Sequence, residues 1–400
     1  MNPAQTPELR QLLTLLTLAA FASSASFRVC DPMLPVLAGL FDAPAGRVAR
    51  IITGFTIAYG AMQLIYGPLG ERFDRFRIVT LATALCAVGS LGATLATRLD
   101  VLTLCRILTG VAAAGIIPMS IAAIADMVPA EQAASMIGYV TMAMSVVPMI
   151  GPAVGGALDE WFGWQASFVL LAIAGVMMFA LVWADLGETA HPSGRSLAAQ
   201  LAEYPELLRS PRFWGYAGVA SLASGAFFAY LGGSPFVGEK VLHLSPAIIG
   251  YYFAAPAIGY AVGNFLAGRY SMRVGLDRMV LIGTTFSTVT LIMGATLAHL
   301  LPAHPMLFFP AVGLMAIGNG ITLPNANAGL LSVRPHLAGS ASGLGGALMI
   351  GGGAVLAAIT GPLLSEKAGH YVLLEVMAAS SALSVLCILM VIRRARRLAR

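Results

Sequence analysis

The chain has 400 residues, 58% of them hydrophobic and only 10% charged, with a formal net charge of +5. Soluble domains carry about 25% charged residues, so this chain cannot coat a water-facing surface of its size. That excludes a soluble fold, a disordered chain and a disulfide scaffold. The long continuous apolar runs exclude a transmembrane β-barrel.

A membrane-crossing helix needs about 20 apolar residues. Twelve such segments follow one another: 11–39, 49–69, 78–97, 101–122, 133–159, 165–187, 213–238, 247–271, 277–298, 305–328, 339–363 and 370–392. The first follows a polar stretch ending at Arg10 and is too long for a cleaved signal, so it is expected to remain. Cys30, Cys86, Cys105 and Cys387 lie in apolar runs without CxxC spacing and read as small buried side chains.

Most connectors are short. The exception is 188–212, which is polar and holds Pro192, Ser193, Gly194, Pro205 and Pro211. It separates two six-helix bundles, 1–187 and 213–400. Within it, Leu197, Leu201, Leu207 and Leu208 predict a short amphipathic helix on the membrane surface. Sixteen of the 23 basic residues fall on the side that carries both termini, among them Arg72, Arg75, Arg77 and the cluster Arg393–Arg400. The positive-inside rule makes that side cytoplasmic. The net charge therefore reads as orienting charge, and no nucleic-acid partner is expected.

The halves echo each other. Pro118 to Pro129 is 11 residues, and so is Pro324 to Pro335, at an offset of 206. Each proline pair precedes a small-residue helix with a Gly-Pro, Gly151-Pro152 or Gly361-Pro362. Duplicated membrane bundles are the architecture of secondary transporters, with the substrate site near mid-membrane.

Several motifs are more specific. Gly67-Pro68-Leu69-Gly70-Glu71-Arg72-Phe73-Asp74-Arg75 follows the second segment. The fourth segment holds Arg106 within Cys105-Arg106-Ile107-Leu108-Thr109-Gly110, and the fifth holds Gly151-Pro152-Ala153-Val154-Gly155-Gly156. The seventh carries Phe227-Phe228-Ala229-Tyr230 and Ser234-Pro235-Phe236-Val237. With these, the chain resembles the major facilitator superfamily over nearly its whole length. More narrowly, it resembles the twelve-helix drug:proton antiporters of the bicyclomycin and chloramphenicol-resistance group. The resemblance implies an all-α polytopic membrane protein with twelve transmembrane helices in two pseudo-symmetric bundles. It further implies a cytoplasmic gate of Gly67, Glu71, Arg72, Arg75 and Asp126, and an antiporter motif of Gly151, Pro152, Gly155 and Gly156. Small residues there let helices approach, and the proline bends one.

Charges inside the membrane are costly, about 2.5–3.5 kcal/mol each on translocon scales, and usually functional. Here they are Arg28, Asp31 and Arg106, with Glu375 nearer an end. Arg28 lies one helical turn before Asp31, and the resemblance aligns Asp31 with the first-helix D-x-x-L-P of proton antiporters. Asp31 is expected to carry the coupling proton, with Arg28 and Arg106 favouring its charge and burial opposing it. The alternative is a static ion pair that orients the first helix. Two arginines against one aspartate favour neutral or anionic substrates over cations.

Other cavity candidates are Tyr230 and Phe227, which could stack on a ligand, and the amides Asn264, Asn319, Asn325 and Asn327. Glu375 is a second proton site or an interfacial carboxylate near His370. No P-loop, HExxH or metal-spaced His/Cys cluster is present in the sequence, so no catalytic residue, metal or cofactor is expected. The expected role is proton-coupled efflux of small organic compounds from a bacterial inner membrane. Its partners are a small-molecule substrate, protons and lipid, and the chain is expected to be a monomer. A proton-coupled sugar, nucleoside or organic-acid transporter is the alternative.

Overall fold

The computed structural model describes residues 7–30, 33–48, 50–73, 75–144, 147–185, 204–244, 246–365 and 368–398. Among them every regular element is helical, and helices cover each of the twelve expected spans. The first span is Pro7–Arg28 followed by Leu34–Leu40, the second Arg50–Arg72, the third Arg75–Thr94 and the fourth Leu99–Met127. The fifth comprises Ala130–Met144 and Val147–Phe162, and the sixth is Gln165–Asp185. The seventh, Pro211–Phe236, runs into a π-helical turn, Val237–Val241. The eighth comprises Pro246–Tyr252 and Ala254–Val274; the ninth is Leu276–Leu300 and the tenth Pro305–Ser332. The last two are Ala338–Leu363 and Gly369–Leu398.

Seven helices among the described residues are long and apolar enough to cross a bilayer unaided. Two expected segments, 11–39 and 247–271, are each two helices rather than one. In both the second piece has a proline in its first turn, Pro35 and Pro256. Proline fits a first turn, where its missing N–H would be unpaired, and cannot continue the helix before it. Of the expected amphipathic linker helix, only Tyr204–Leu208 falls within the described residues. Leu197 and Leu201 lie outside them.

The outward faces are themselves apolar. Ile57, Leu81, Leu104 and Leu386 are all more than half exposed, as a lipid-facing surface requires. Hydroxyls inside the spans are satisfied locally. Thr80, Thr103, Ser120, Thr284 and Thr322 donate to the carbonyl four residues back at 2.7–2.9 Å.

The chain divides into two compact units. One holds Met1–Ile124, Val146–Glu203 and Leu337–Leu344; the other holds Ala125–Ser145, Tyr204–His336 and Gly345–Arg400. These do not coincide with the halves 1–187 and 213–400. The start of the fifth span groups with the second half, and the start of the eleventh with the first. The reason is close backbone packing at those two places, described below. The first unit centres on Val29, Met33, Leu37, Ile51, Leu102 and Phe168. The second centres on Tyr230, Phe308, Phe309, Met315, Leu373 and Met377.

Candidate functional site

Arg106 is fully buried in the fourth span. Its Nη2 donates to the Ser26 carbonyl at 2.7 Å, and its guanidinium carbon lies 4.2 Å from the centre of the Phe55 ring. Phe27 packs edge-on against both Phe55 and Tyr59, with centroids at 4.8 and 4.7 Å. The Nε and Nη1 of Arg106 are buried without a hydrogen-bond partner among the described residues. A buried ion costs several kcal/mol unless it is paired, so this guanidinium calls for a counter-charge. Ser26 sits two residues before Arg28 and five before Asp31. The first and fourth spans therefore meet at Ser26 and Arg106. Arg28 ends the first helix, but its side chain and the whole of Asp31 lie outside the described residues.

A second constellation consists of two matching helix crossings. In the first unit the second span carries Gln63 and Gly67, and the eleventh carries Gly339, Ser340 and Gly343. A Cβ built on Gly343 would meet the Gln63 carbonyl and stand 3.0 Å from the Gly67 nitrogen. One built on Gly67 would lie 2.8 Å from Ser340 Cα and 2.9 Å from the Gly339 carbonyl. In the second unit the eighth span carries Asn264 and Gly268, and the fifth carries Ser135 and Gly138. A Cβ on Gly138 would lie 2.8 Å from the Gly268 nitrogen and 2.9 Å from the Asn264 carbonyl. Ser135 Oγ donates to the Gly268 carbonyl, and Thr141 Oγ1 donates to Asn264 Oδ1 at 2.9 Å. Nothing larger than hydrogen fits at these points without displacing backbone.

Of the other expected gate residues, Arg75 is buried and Asp126 is exposed. Arg72 is exposed with its guanidinium over the Phe73 ring at 5.2 Å. The side chain of Glu71 lies outside the described residues, as does that of Pro152. In the expected antiporter motif, Gly151 and Gly156 are half-buried and Gly155 is buried. The Gly155 carbonyl accepts from Ser167 Oγ at 3.5 Å, tying the fifth span to the sixth.

The expected cavity residues fall in several different places. Phe227 and Tyr230 join one aromatic cluster with Phe253, Tyr260 and Phe308. Asn319 is a junction: Nδ2 donates to the Ala223 carbonyl at 2.8 Å and to the Tyr260 hydroxyl at 3.2 Å, and Oδ1 accepts from Ser287 at 3.4 Å. One amide thus joins the seventh, eighth, ninth and tenth spans. Asn264 belongs to the fifth–eighth crossing, through Thr141. Asn325 is fully buried, bonds its own helix at Ile321 at 2.8 Å, and leaves Oδ1 without a partner among the described residues. Asn327 is half-buried.

Glu375, expected as a second proton site or an interfacial carboxylate near His370, pairs with His299. Its Oε1 lies 2.7 Å from His299 Nε2, and the His299 ring lies over Tyr371 at 4.1 Å. The last turn of the ninth span and the first turns of the twelfth bring them together, a proximity no local spacing reveals. Sequence reasoning also missed Ser135, Gly138, Thr141 and Gly343. Their only local signal is the pair Ser135-x-x-Gly138 and Ser340-x-x-Gly343, which repeats at matching places in the two halves.

The family model of the Major Facilitator Superfamily matches residues 16–349 and 239–400. The chain belongs to the Major Facilitator Superfamily. This superfamily member is 26% identical over 389 residues to a bicyclomycin resistance protein homolog of Haemophilus influenzae, covering 93% of this chain and 94% of the relative. It is 24% identical over 347 residues to a chloramphenicol resistance protein of Pseudomonas aeruginosa, with coverage of 84% and 81%. It is 27% identical over 319 residues to the multidrug transporter MdfA of Edwardsiella piscicida, with coverage of 79% and 76%. These are the group that the motifs suggest. In fold it is similar to the proton:xylose symporter XylE, with a TM-score of 0.74 at 15% identity over 95% of this chain and 94% of that one. It is similar also to the superfamily transporter FucP in the outward conformation, with a TM-score of 0.73 at 14% identity over 95% and 98%. The superfamily fold and the run of apolar helices make the chain a multi-pass membrane protein.

Proposed function

We propose that this superfamily member exports small neutral or anionic organic compounds, drugs among them, in exchange for protons by alternating access. The observation that carries the reading is Arg106. It is a fully buried guanidinium on a carbonyl of the first span, with two donor atoms unpartnered among the described residues. A carboxylate that gains and loses a proton beside it gives the site two charge states, which is what coupling requires. Asp31 is that carboxylate, with Arg28 as the second cation. Their net positive balance disfavours cationic substrates. The names of the relatives, resistance proteins and multidrug transporters, support export of drugs. The cytoplasmic latch of Glu71, Arg72, Arg75 and Asp126 and the GPxxGG helix serve the rocking of the halves 1–187 and 213–400. Both termini face the cytoplasm, from the distribution of arginine.

Vesicles reconstituted with the purified protein test this. Labelled chloramphenicol should move uphill only under an imposed pH gradient, with protons moving the opposite way. Counterflow of a labelled sugar or nucleoside instead, with none for chloramphenicol, would point to a metabolite transporter.

A further inference from the structure

The fifth and eighth spans touch through Gly138 and Gly268, and one turn nearer the start of the fifth Ser135 Oγ donates to the Gly268 carbonyl. One further turn along, at Gln132, the two helices part. The fifth span begins after Pro129, and the eighth ends at Gly275, whose φ of 87° is left-handed. Between these ends lies a cleft of about 430 Å³, lined by Pro129, Gln132 and residues 272–275.

The cleft is lined with unsatisfied donors. Gln132 is only 5% exposed, and its Nε2 has no hydrogen-bond partner among the described residues. An amide N–H buried in this way is costly unless an acceptor reaches it. Gln132 lies in the first turn of Ala130–Met144, where Ala133 N makes the first intrahelical bond, to the Pro129 carbonyl at 2.8 Å. The N–H groups before it have no partner within the helix, and proline has no side-chain oxygen to cap them. Across the cleft, Arg273 is exposed in the last turn of the eighth span and forms no ion pair among the described residues. Along that turn Arg269, Arg273 and Arg278 stand against Asp277 alone, and Asp277 Oδ1 already accepts from the Tyr216 hydroxyl at 2.5 Å. A Cβ on Gly275 would meet nothing within 4 Å, so the turn leaves room beside Arg273.

We propose that this cleft binds a phosphate group, either free in solution or carried on a lipid headgroup, with the Arg273 guanidinium and Gln132 Nε2 as its donors. An arginine fork, an amide and a helix N-terminus together suit a compact anion with several oxygens. A cation is disfavoured by both the arginine and the positive end of the helix. The cleft is larger than a bare phosphate, and Met272, 49% exposed, gives it an apolar wall that an ester group can cover. An occupant joins the fifth span to the turn between the eighth and ninth. The site is separate from the export reading and does not depend on it.

The test uses the full-length protein in micelles of an uncharged detergent, with sodium phosphate and phosphatidylglycerol as probes. Sodium chloride at matched ionic strength and diacylglycerol are the controls. Equilibrium binding and thermal unfolding are measured for the wild type, Arg273→Gln, Gln132→Leu and Glu131→Gln. The wild type should bind at least one phosphate probe and unfold at a higher temperature in its presence, with no such effect from the controls. Arg273→Gln and Gln132→Leu should each weaken that binding about tenfold, through loss of one hydrogen bond to a charged group. Without ligand, Gln132→Leu should unfold no earlier than the wild type, because it removes a stranded amide. Glu131→Gln takes a negative charge from the same turn and should tighten binding. Binding of sodium phosphate assigns a soluble group, and binding of phosphatidylglycerol alone assigns the lipid. Binding left unchanged by both Arg273→Gln and Gln132→Leu would put the anion at other arginines and overturn the site. Equal stabilisation by either control, weaker binding in Glu131→Gln, or a wild type that binds neither probe would overturn it as well.

Discussion

Gly343 lies on the backbone of Gly67, and a Cβ built on it would stand 3.0 Å from the Gly67 nitrogen and 3.1 Å from its Cα. Gly138 lies on Gly268 in the same way, at 2.8 and 3.2 Å. One contact is thus made twice, each time by a Ser-x-x-Gly on an amide-x-x-x-Gly. The repeat in the sequence becomes a repeat in packing. Each contact joins a first-half span to a second-half span, which is why the compact units exchange short segments. A transporter that rocks must break such contacts as a set, and hydrogen-only surfaces separate without shedding side chains.

Substitution at these crossings has a defined sign. Gly343→Ala and Gly138→Ala each force backbone apart, and overpacking of this kind costs about 1–3 kcal/mol. Both variants should unfold at lower temperature in micelles, and by similar amounts. The double variant should be close to additive, because the two contacts lie in separate units. Unchanged unfolding temperatures in both would show that the helices are not in contact as described.

Asp31→Asn should abolish the response of export to a pH gradient while leaving substrate counterflow, since only the titrating group is lost. Vesicle assays at two gradients distinguish the two activities. Export that still runs uphill on the gradient would leave Asp31 as a static partner of Arg106.

Arg106→Lys keeps the charge but loses the planar group that lies over Phe55 and reaches the Ser26 carbonyl. Lysine cannot reproduce that stack. Gradient-driven transport should fall at least tenfold at normal expression. A Phe55→Leu variant should weaken stability by about 1–2 kcal/mol through lost cation–π contact and ring burial. Chemical denaturation in micelles measures the second effect, and vesicle uptake the first.

Asn319→Ala removes the junction of four spans and leaves the Ala223 carbonyl and the Tyr260 hydroxyl short of a partner, while Ser287 keeps its bond to the Met315 carbonyl at 2.9 Å. Stranded buried polar groups cost about 1–3 kcal/mol each. The variant should be markedly less stable for every substrate. A variant of normal stability with altered selectivity would instead return Asn319 to the substrate cavity. Glu375→Gln should do little by comparison, because the His299 pair is half exposed, at 48% and 49%, and exposed pairs contribute about 0–1 kcal/mol. Loss of proton coupling in that variant would make Glu375 a second proton site.

Composition and order alone determined the membrane setting, the twelve spans, the arginine asymmetry and the family, because each is written in runs of apolar residues and in contiguous motifs. Arg106 was legible for the same reason, since a charge inside an apolar run is conspicuous at any resolution of thought. Tertiary structure decided what those residues touch. Asn264 and Asn319 look alike as polar residues in apolar helices, yet one pins a glycine crossing through Thr141 and the other joins four helices. Glu375 meets His299 from 76 residues away. Local spacing specifies one helix face. Which neighbour that face meets depends on packing among all the helices, and no single segment encodes it.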